Sequence, residues 1–263
     1  MTLVFIEGAS GVGKSRSAAK LRDRLVDDGY AVACYLEGDI KSPLDLFWNA
    51  CFFNSIHEYL DILDEFSEFA DCIAANTIFG DGYTLVRYQD EAGLYFPRRL
   101  YKALKAREVC YMPQSAVPYN VFLDIFLDRW GAFFGKARPE FDFIIFDGVM
   151  HRQINDMLRN YTATDDEVMR HVTSLFGLAE NHEATMFYLE ACDVRKRLYD
   201  ARMCRGQTVP TEEMFAFWEN RKRVDLLALD GLSIRQHKID ITGESWKEYN
   251  ETIYKITTGL ATI

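Results

Sequence analysis

Residues 3–15 read Leu-Val-Phe-Ile-Glu-Gly-Ala-Ser-Gly-Val-Gly-Lys-Ser, and the last eight of them, Gly8 to Ser15, satisfy G-x-x-x-x-G-K-[ST] at every fixed position. Each fixed residue has a physical task in holding phosphate. Gly8, Gly11 and Gly13 let the backbone turn and come close to oxygens that a Cβ would fend off. The amides of Ala9, Ser10 and Val12 complete an inward-facing anion nest. The next helix directs its positive end at the same point. Lys14 is placed to bridge β- and γ-phosphates, and the Ser15 hydroxyl to ligate Mg²⁺.

The neighbouring sequence fits this loop. Leu3 to Ile6 is a short apolar run, as expected of a buried parallel strand. After Ser15, Ala18, Leu21, Leu25 and Val26 recur at helical spacing, and Asp27-Asp28-Gly29 supplies the stop, with Gly29 as left-handed cap.

Working outward, Ala31–Leu36 predicts a second strand that ends in Glu37-Gly38-Asp39. That puts two carboxylates at the sheet edge where ligands bind in open α/β folds. Phe141–Phe146 predicts a third strand, followed by Asp147-Gly148. An apolar strand closed by Asp, in a chain with such a loop, points to a second Mg²⁺ ligand at Asp147. Thr185–Leu189 and a stretch near Leu232–Ile239 complete five strands, and Ser245–Leu260 predicts a terminal amphipathic helix. Strands alternating with helices call for a parallel sheet with right-handed crossovers and helices on both faces.

Residues 43–138 show no strong strand and much helical periodicity: Asp45 to Trp48, Phe52-Phe53, Tyr59–Phe69, a helix opened by Pro97, and an aromatic-rich helix over Tyr119–Phe134. Gly80-Asp81-Gly82 marks a turn. This segment predicts a helical insertion, and its aromatics read first as core.

Composition narrows the field. With 263 residues, 49% of them apolar, one α/β domain with an elaborated insertion is expected. A formal charge of −10 disfavours a phosphodiester partner, so no nucleic acid is expected. Six cysteines without C-x-x-C spacing predict reduced, mostly buried thiols in a cytoplasmic chain. The N-terminal apolar run is too short for a signal peptide, and no stretch approaches a membrane span.

The loop alone does not choose among nucleotide hydrolases and kinases. There is no N-K-x-D guanine motif and no L-S-G-G-Q signature, and no ring-ATPase oligomerisation domain is expected after the fifth strand. Asp147-Gly148 resembles the Leu-Asp-Gly of adenylate kinases and of chloramphenicol phosphotransferase. Residues 193–206, DVRKRLYDARMCRG, resemble the arginine-bearing lid of the same superfamily. Glu37-Gly38-Asp39 matches the position of the catalytic carboxylate in deoxynucleoside kinases. The chain is thus similar to P-loop nucleoside and nucleotide kinases, thymidylate and adenylate kinases among them, over about half its length.

The resemblance implies one P-loop kinase domain over residues 1–263, with an acceptor-binding insertion at about 43–138 and a lid at about 193–209. It implies ATP and Mg²⁺, and γ-phosphate transfer to a hydroxyl of a small nucleoside-like or antibiotic-like acceptor. Arg195 and Arg197 would hold the triphosphate, and Arg202 and Arg205 would neutralise the transferring group. Asp39, freed to swing by Gly38, is the preferred base, with Glu37 the alternative. His151, Arg152, Gln153 and Asn155 follow Asp147 and could read the acceptor. Arg98 or Arg99 would clamp a phosphate on it, but the clamp that adenylate kinases carry after Asp-Gly is absent, which favours an uncharged or bulky acceptor. A homodimer is compatible with such a chain. The contrasting expectation is a nucleotide-binding regulator whose insertion docks a protein.

Overall fold

The computed structural model describes residues 1–46, 50–89, 96–110, 117–243 and 245–260. Within them the strands are β1 (Thr2–Gly8), β2 (Val32–Tyr35), β3 (Ala50–Phe53), β4 (Thr77–Gly80), β5 (Tyr83–Arg87), β6 (Phe143–Asp147), β7 (Glu183–Glu190) and β8 (Arg235–Asp240). The helices are α1 (Lys14–Asp27), α2 (Ile56–Glu65), α3 (Ala70–Ala75), α4 (Arg98–Lys105), α5 (Tyr119–Phe134), α6 (Val149–Asn160), α7 (Asp165–Gly177), α8 (Val194–Cys204), α9 (Glu212–Asp230) and α10 (Trp246–Thr257). The chain divides into two compact units. One comprises Met1–Glu37, Lys136–Asn155 and Ala163–Ile263; the other comprises Gly38–Gly135 and Asp156–Thr162.

The first unit is α/β. Its sheet runs β2-β6-β1-β7-β8, with every pair parallel. Period-two alternation divides β1 between two apolar layers. Val4 and Ile6 join a cluster with Ala18, Leu21 and Leu25 of α1 and Ile253 of α10. Phe5, pointing the other way, meets Phe176 of α7 edge-on at 5.0 Å and stacks on Phe146 at 5.4 Å. Covering both faces removes the reason for polar alternation, so Leu3–Ile6 of β1 and Phe143–Phe146 of β6 read as apolar runs. The predicted stop of α1 is present: Gly29 has φ +91°, and Gly29 and Tyr30 return their N–H groups to Val26 and Leu25.

The second unit corrects the expectation of a helical insertion. It holds an antiparallel sheet ordered β3-β5-β4 beside its helices. Gly80-Asp81-Gly82 is the turn of the β4–β5 hairpin, in which Gly80 pairs with Tyr83. The apolar run at Phe52-Phe53, expected in a helix, is strand β3. Runs of four or five apolar residues fit either period, and here pairing with β5 decides. Phe53, Tyr59, Ile62, Val86, Leu100 and Leu104 form this unit's core. The aromatics of α5 are core, as expected: Phe122, Phe126 and Trp130 are fully buried. Phe47, Trp48, Tyr95 and Tyr111 lie outside the described residues.

None of the six cysteines is in a disulfide; Cys51 and Cys110 are buried, but Cys192 and Cys204 are exposed, against the expectation of mostly buried thiols. Among the described residues no helix is long and apolar enough to cross a membrane.

Candidate functional site

The loop between β1 and α1 sits at the carboxyl end of the central strand. Two glycines in it are forced by geometry. Gly8 has φ +143°, and a Cβ there would lie 2.6 Å from the Leu189 carbonyl oxygen. Gly11 has φ +85°, and its Cβ would lie 2.8 Å from the Ala201 Cβ of α8. The loop therefore fits against β7 at Gly8 and under α8 at Gly11 only without side chains at these points.

Pairing of β1 with β6 sets Ile6 opposite Asp147, which brings Asp147 beside the loop. Asp147 Oδ2 accepts the Glu37 N–H at 3.1 Å, while Oδ1 is buried with no hydrogen-bond partner. Burial raises the Asp147 pKa, opposed by the Lys14 ammonium, the Ser15 hydroxyl and the Glu37 N–H. Lys14 itself is buried, and its Nζ donates to the Gly8 and Ala9 carbonyls at 3.0 and 3.2 Å. Its stem passes over Gly148, where a Cβ would stand 3.3 Å from Cε.

A cavity of about 420 Å³ opens above the loop. Lys14, Ser15, Arg16 and Glu37 line one side, and Arg197, Asp200, Cys204 and Arg205 the other. A second cavity of about 450 Å³ shares Gly13, Arg16 and Arg197 with it and adds Ile241, Trp246 and Tyr249. Here the Arg16 guanidinium stands 5.2 Å from the Trp246 ring centre, and Arg197 donates to the Ile241 carbonyl at 2.9 Å.

The residues of the first unit expected at the site divide into those that meet here and those that do not. The loop, Lys14, Ser15, Asp147, Glu37, Arg197 and Arg205 are together. Arg195 is instead bonded to Glu212 and paired with Glu219, and Arg202 donates to the Thr208 carbonyl and hydroxyl. Asp39 belongs to the second unit, where its carboxylate accepts the Lys41 N–H at 2.9 Å in a local turn. Arg98 and Arg99 also lie in that unit, exposed at the start of α4, with Arg99 paired to Glu65 at 2.5 Å.

The residues after Asp147 are scaffold more than surface. His151 is buried and stacks on Trp218 at 5.1 Å; burial, then Lys14 and the arginines, hold its pKa well below the ordinary value. Gln153 is buried and bonded to His171 at 2.9 Å, and Asn155 is buried. Two of this group turn to site residues: Arg152 reaches Glu37 at 3.6 Å, and His151 bonds to the backbone of Gly8 in the loop. Sequence reasoning passed over Glu7, Arg16, Trp246 and Tyr249. A carboxylate inside an apolar strand was the available signal for Glu7; an arginine directly after the loop motif was the signal for Arg16.

No family model matches the chain, and no curated protein does. Among solved structures it is similar to the YorR protein of Bacillus subtilis, determined in complex with phosphorylated GDP, at 12% identity and a TM-score of 0.45, covering 98% of this chain and 96% of that one. A likeness this slight carries no argument about chemistry.

Proposed function

We propose that the protein is a P-loop phosphotransferase that moves the γ-phosphate of ATP to a hydroxyl of a small acceptor. The observation that carries this reading is the convergence of Lys14, Ser15, Arg197 and Arg205 on one cavity, with Asp147 beside the loop. Phosphoryl transfer asks a protein mainly for positioning and charge neutralisation, and these groups supply both.

Asp147 and Ser15 suit Mg²⁺: a buried carboxylate oxygen without a partner, next to a hydroxyl, is the hard-oxygen donor set that ion takes. When bound, the ion would neutralise charge between the phosphates. Lys14 would exchange two loop carbonyls for phosphate oxygens. Arg197 and Arg205, on and just after α8, would close the anionic side as a lid, and Trp246 would offer its face to the base. Glu37, at the cavity and held by Arg152, would orient an acceptor hydroxyl.

The test is ATP binding followed by intrinsic fluorescence, with Trp246→Phe to assign the signal, and ATP turnover against a panel of nucleosides, nucleotides and antibiotics. Lys14→Ala should remove turnover. Turnover stimulated by one hydroxylated compound supports the kinase. Stimulation only by a protein partner would replace it with the regulatory reading, and an active Lys14→Ala variant would sink the site assignment.

A further inference from the structure

Beneath the phosphate loop lies a chain of buried polar groups that the proposed transfer does not use. Glu7, the next-to-last residue of β1, is 1% exposed in an otherwise apolar strand. Its Oε1 accepts the Met150 N–H at 2.8 Å. That N–H is one of the unpaired donors in the first turn of α6. The carbonyl of the same residue accepts Arg221 of α9 at 3.4 Å. Arg221 is paired with Asp225 at 2.8 Å, and Asp225 accepts the Tyr188 hydroxyl of β7 at 3.1 Å. One residue before Glu7, the Ile6 carbonyl takes the Gly148 N–H at 3.0 Å. The turn that carries Asp147 is thus tied twice to the last residues of β1, immediately before the loop.

We infer that Glu7 is a positioning residue, which sets the Asp147 turn against the phosphate loop so that Asp147 and Ser15 stand in register for one Mg²⁺ ion. The inference rests on the phosphotransferase reading of that loop. Packing alone gives no reason for a carboxyl here. A Met of similar volume would fill the space without desolvation cost, and burying an ionisable group is unfavourable unless it is bonded. Lys14 and Arg221 offset that cost for Glu7, while Asp225 adds to it. What a Met could not do is receive the Met150 N–H. Groups that orient metal ligands from behind typically matter by about 10- to 100-fold in metal affinity or activity.

The experiment compares Glu7→Met and Glu7→Gln with the wild type, measuring binding of a non-hydrolysable ATP analogue in EDTA and across a Mg²⁺ titration, with thermal stability in parallel. Glu7→Met leaves the Met150 N–H without its acceptor and should melt somewhat below the wild type, but bind the analogue in EDTA about as well as wild type. Its half-saturating Mg²⁺ should rise roughly tenfold. Glu7→Gln keeps an acceptor oxygen and should stay near wild type. An unchanged Mg²⁺ requirement in Glu7→Met, an equal loss in EDTA, or a Gln variant as poor as the Met one overturns the assignment. If Glu7→Met does not fold, Tyr188→Phe reads the same chain from its far end: a small rise in the Mg²⁺ requirement supports it, none refutes it. A wild type that binds no analogue in either condition would instead refute the nucleotide reading, and this inference with it.

Discussion

Gly11 is where the loop and the arginine helix meet most closely, so Gly11→Ala tests both at once. Two costs arise. A side chain at φ +85° is strained, by about 1–2 kcal/mol for the left-handed region. The new methyl would also lie 2.8 Å from the Ala201 Cβ and 2.9 Å from the Arg197 carbonyl oxygen. Carbon atoms rest about 3.5–4.0 Å apart, so α8 must withdraw by something near 1 Å or carry the overlap. Overpacking of this kind costs about 1–3 kcal/mol. If α8 holds, the variant loses about 2–5 kcal/mol of stability, the sum of those two ranges. If α8 yields, the loss shifts to binding, because Arg197 and Arg205 move with the helix and its end. Urea unfolding and ATP titration separate the cases. Removing the opposing methyl in Gly11→Ala/Ala201→Gly should recover part of the loss, with the backbone strain remaining. A Gly11→Ala protein that unfolds within about 0.5 kcal/mol of wild type, the ordinary scatter of neutral substitutions, and binds ATP normally would refute the reasoning.

Other outcomes follow from the same geometry. Arg197→Ala should weaken ATP binding by about tenfold or more, as loss of a charge-assisted contact does, while Arg195→Ala leaves it near wild type; comparable losses in titrations of the two would contradict the division of the arginines. Asp147→Asn should leave binding in EDTA intact and weaken it in Mg²⁺, and a fall in both would argue against a metal ligand. Glu108 has its pKa raised by burial from 4.5 to about 8, so between those values the folded chain holds a proton that the unfolded chain has lost. Stability should therefore fall as pH rises through that window, by up to about 1.4 kcal/mol per unit for one such group. Glu108→Gln should flatten part of the slope in urea unfolding at pH 5 to 8.5; an unchanged slope would exclude Glu108 as a source.

The first unit was legible because its signals are local. An apolar run, a glycine loop and a capped amphipathic helix occupy residues 2–29 without a break, and Phe143–Asp147 repeats the strand signal with its acid at the end. The second unit was not, because its strands have only four or five residues and β3 finds its partner far along the chain. Ala50 pairs with Arg87, a separation that no window of periodicity spans. The hairpin turn at Asp81-Gly82 was visible, but the apolar segments flanking it were ambiguous between strand and buried helix.

At the site, motif residues were found and direction was not. Spacing along DVRKRLYDARMCRG cannot say which arginines turn to the cavity, because the answer depends on where α8 lands. Glu212 and Glu219 sit on α9 and take Arg195, Thr208 takes Arg202, and what is left to the cavity is Arg197 and Arg205. The same holds for His151. Three residues after Gly148 it reads as an exposed hydrogen-bonding group, yet Trp218, distant in sequence, covers its ring. Glu7 shows the converse. A buried carboxyl is unfavourable as packing, so its presence in an apolar strand is itself a statement that something nearby needs an acceptor. Here that something is the first turn of α6, behind Asp147. Candidate phosphate ligands can be read from a motif, but the groups packed behind them are set by tertiary contacts, and only an oddity such as a glutamate among Leu, Val, Phe and Ile betrays them in one dimension.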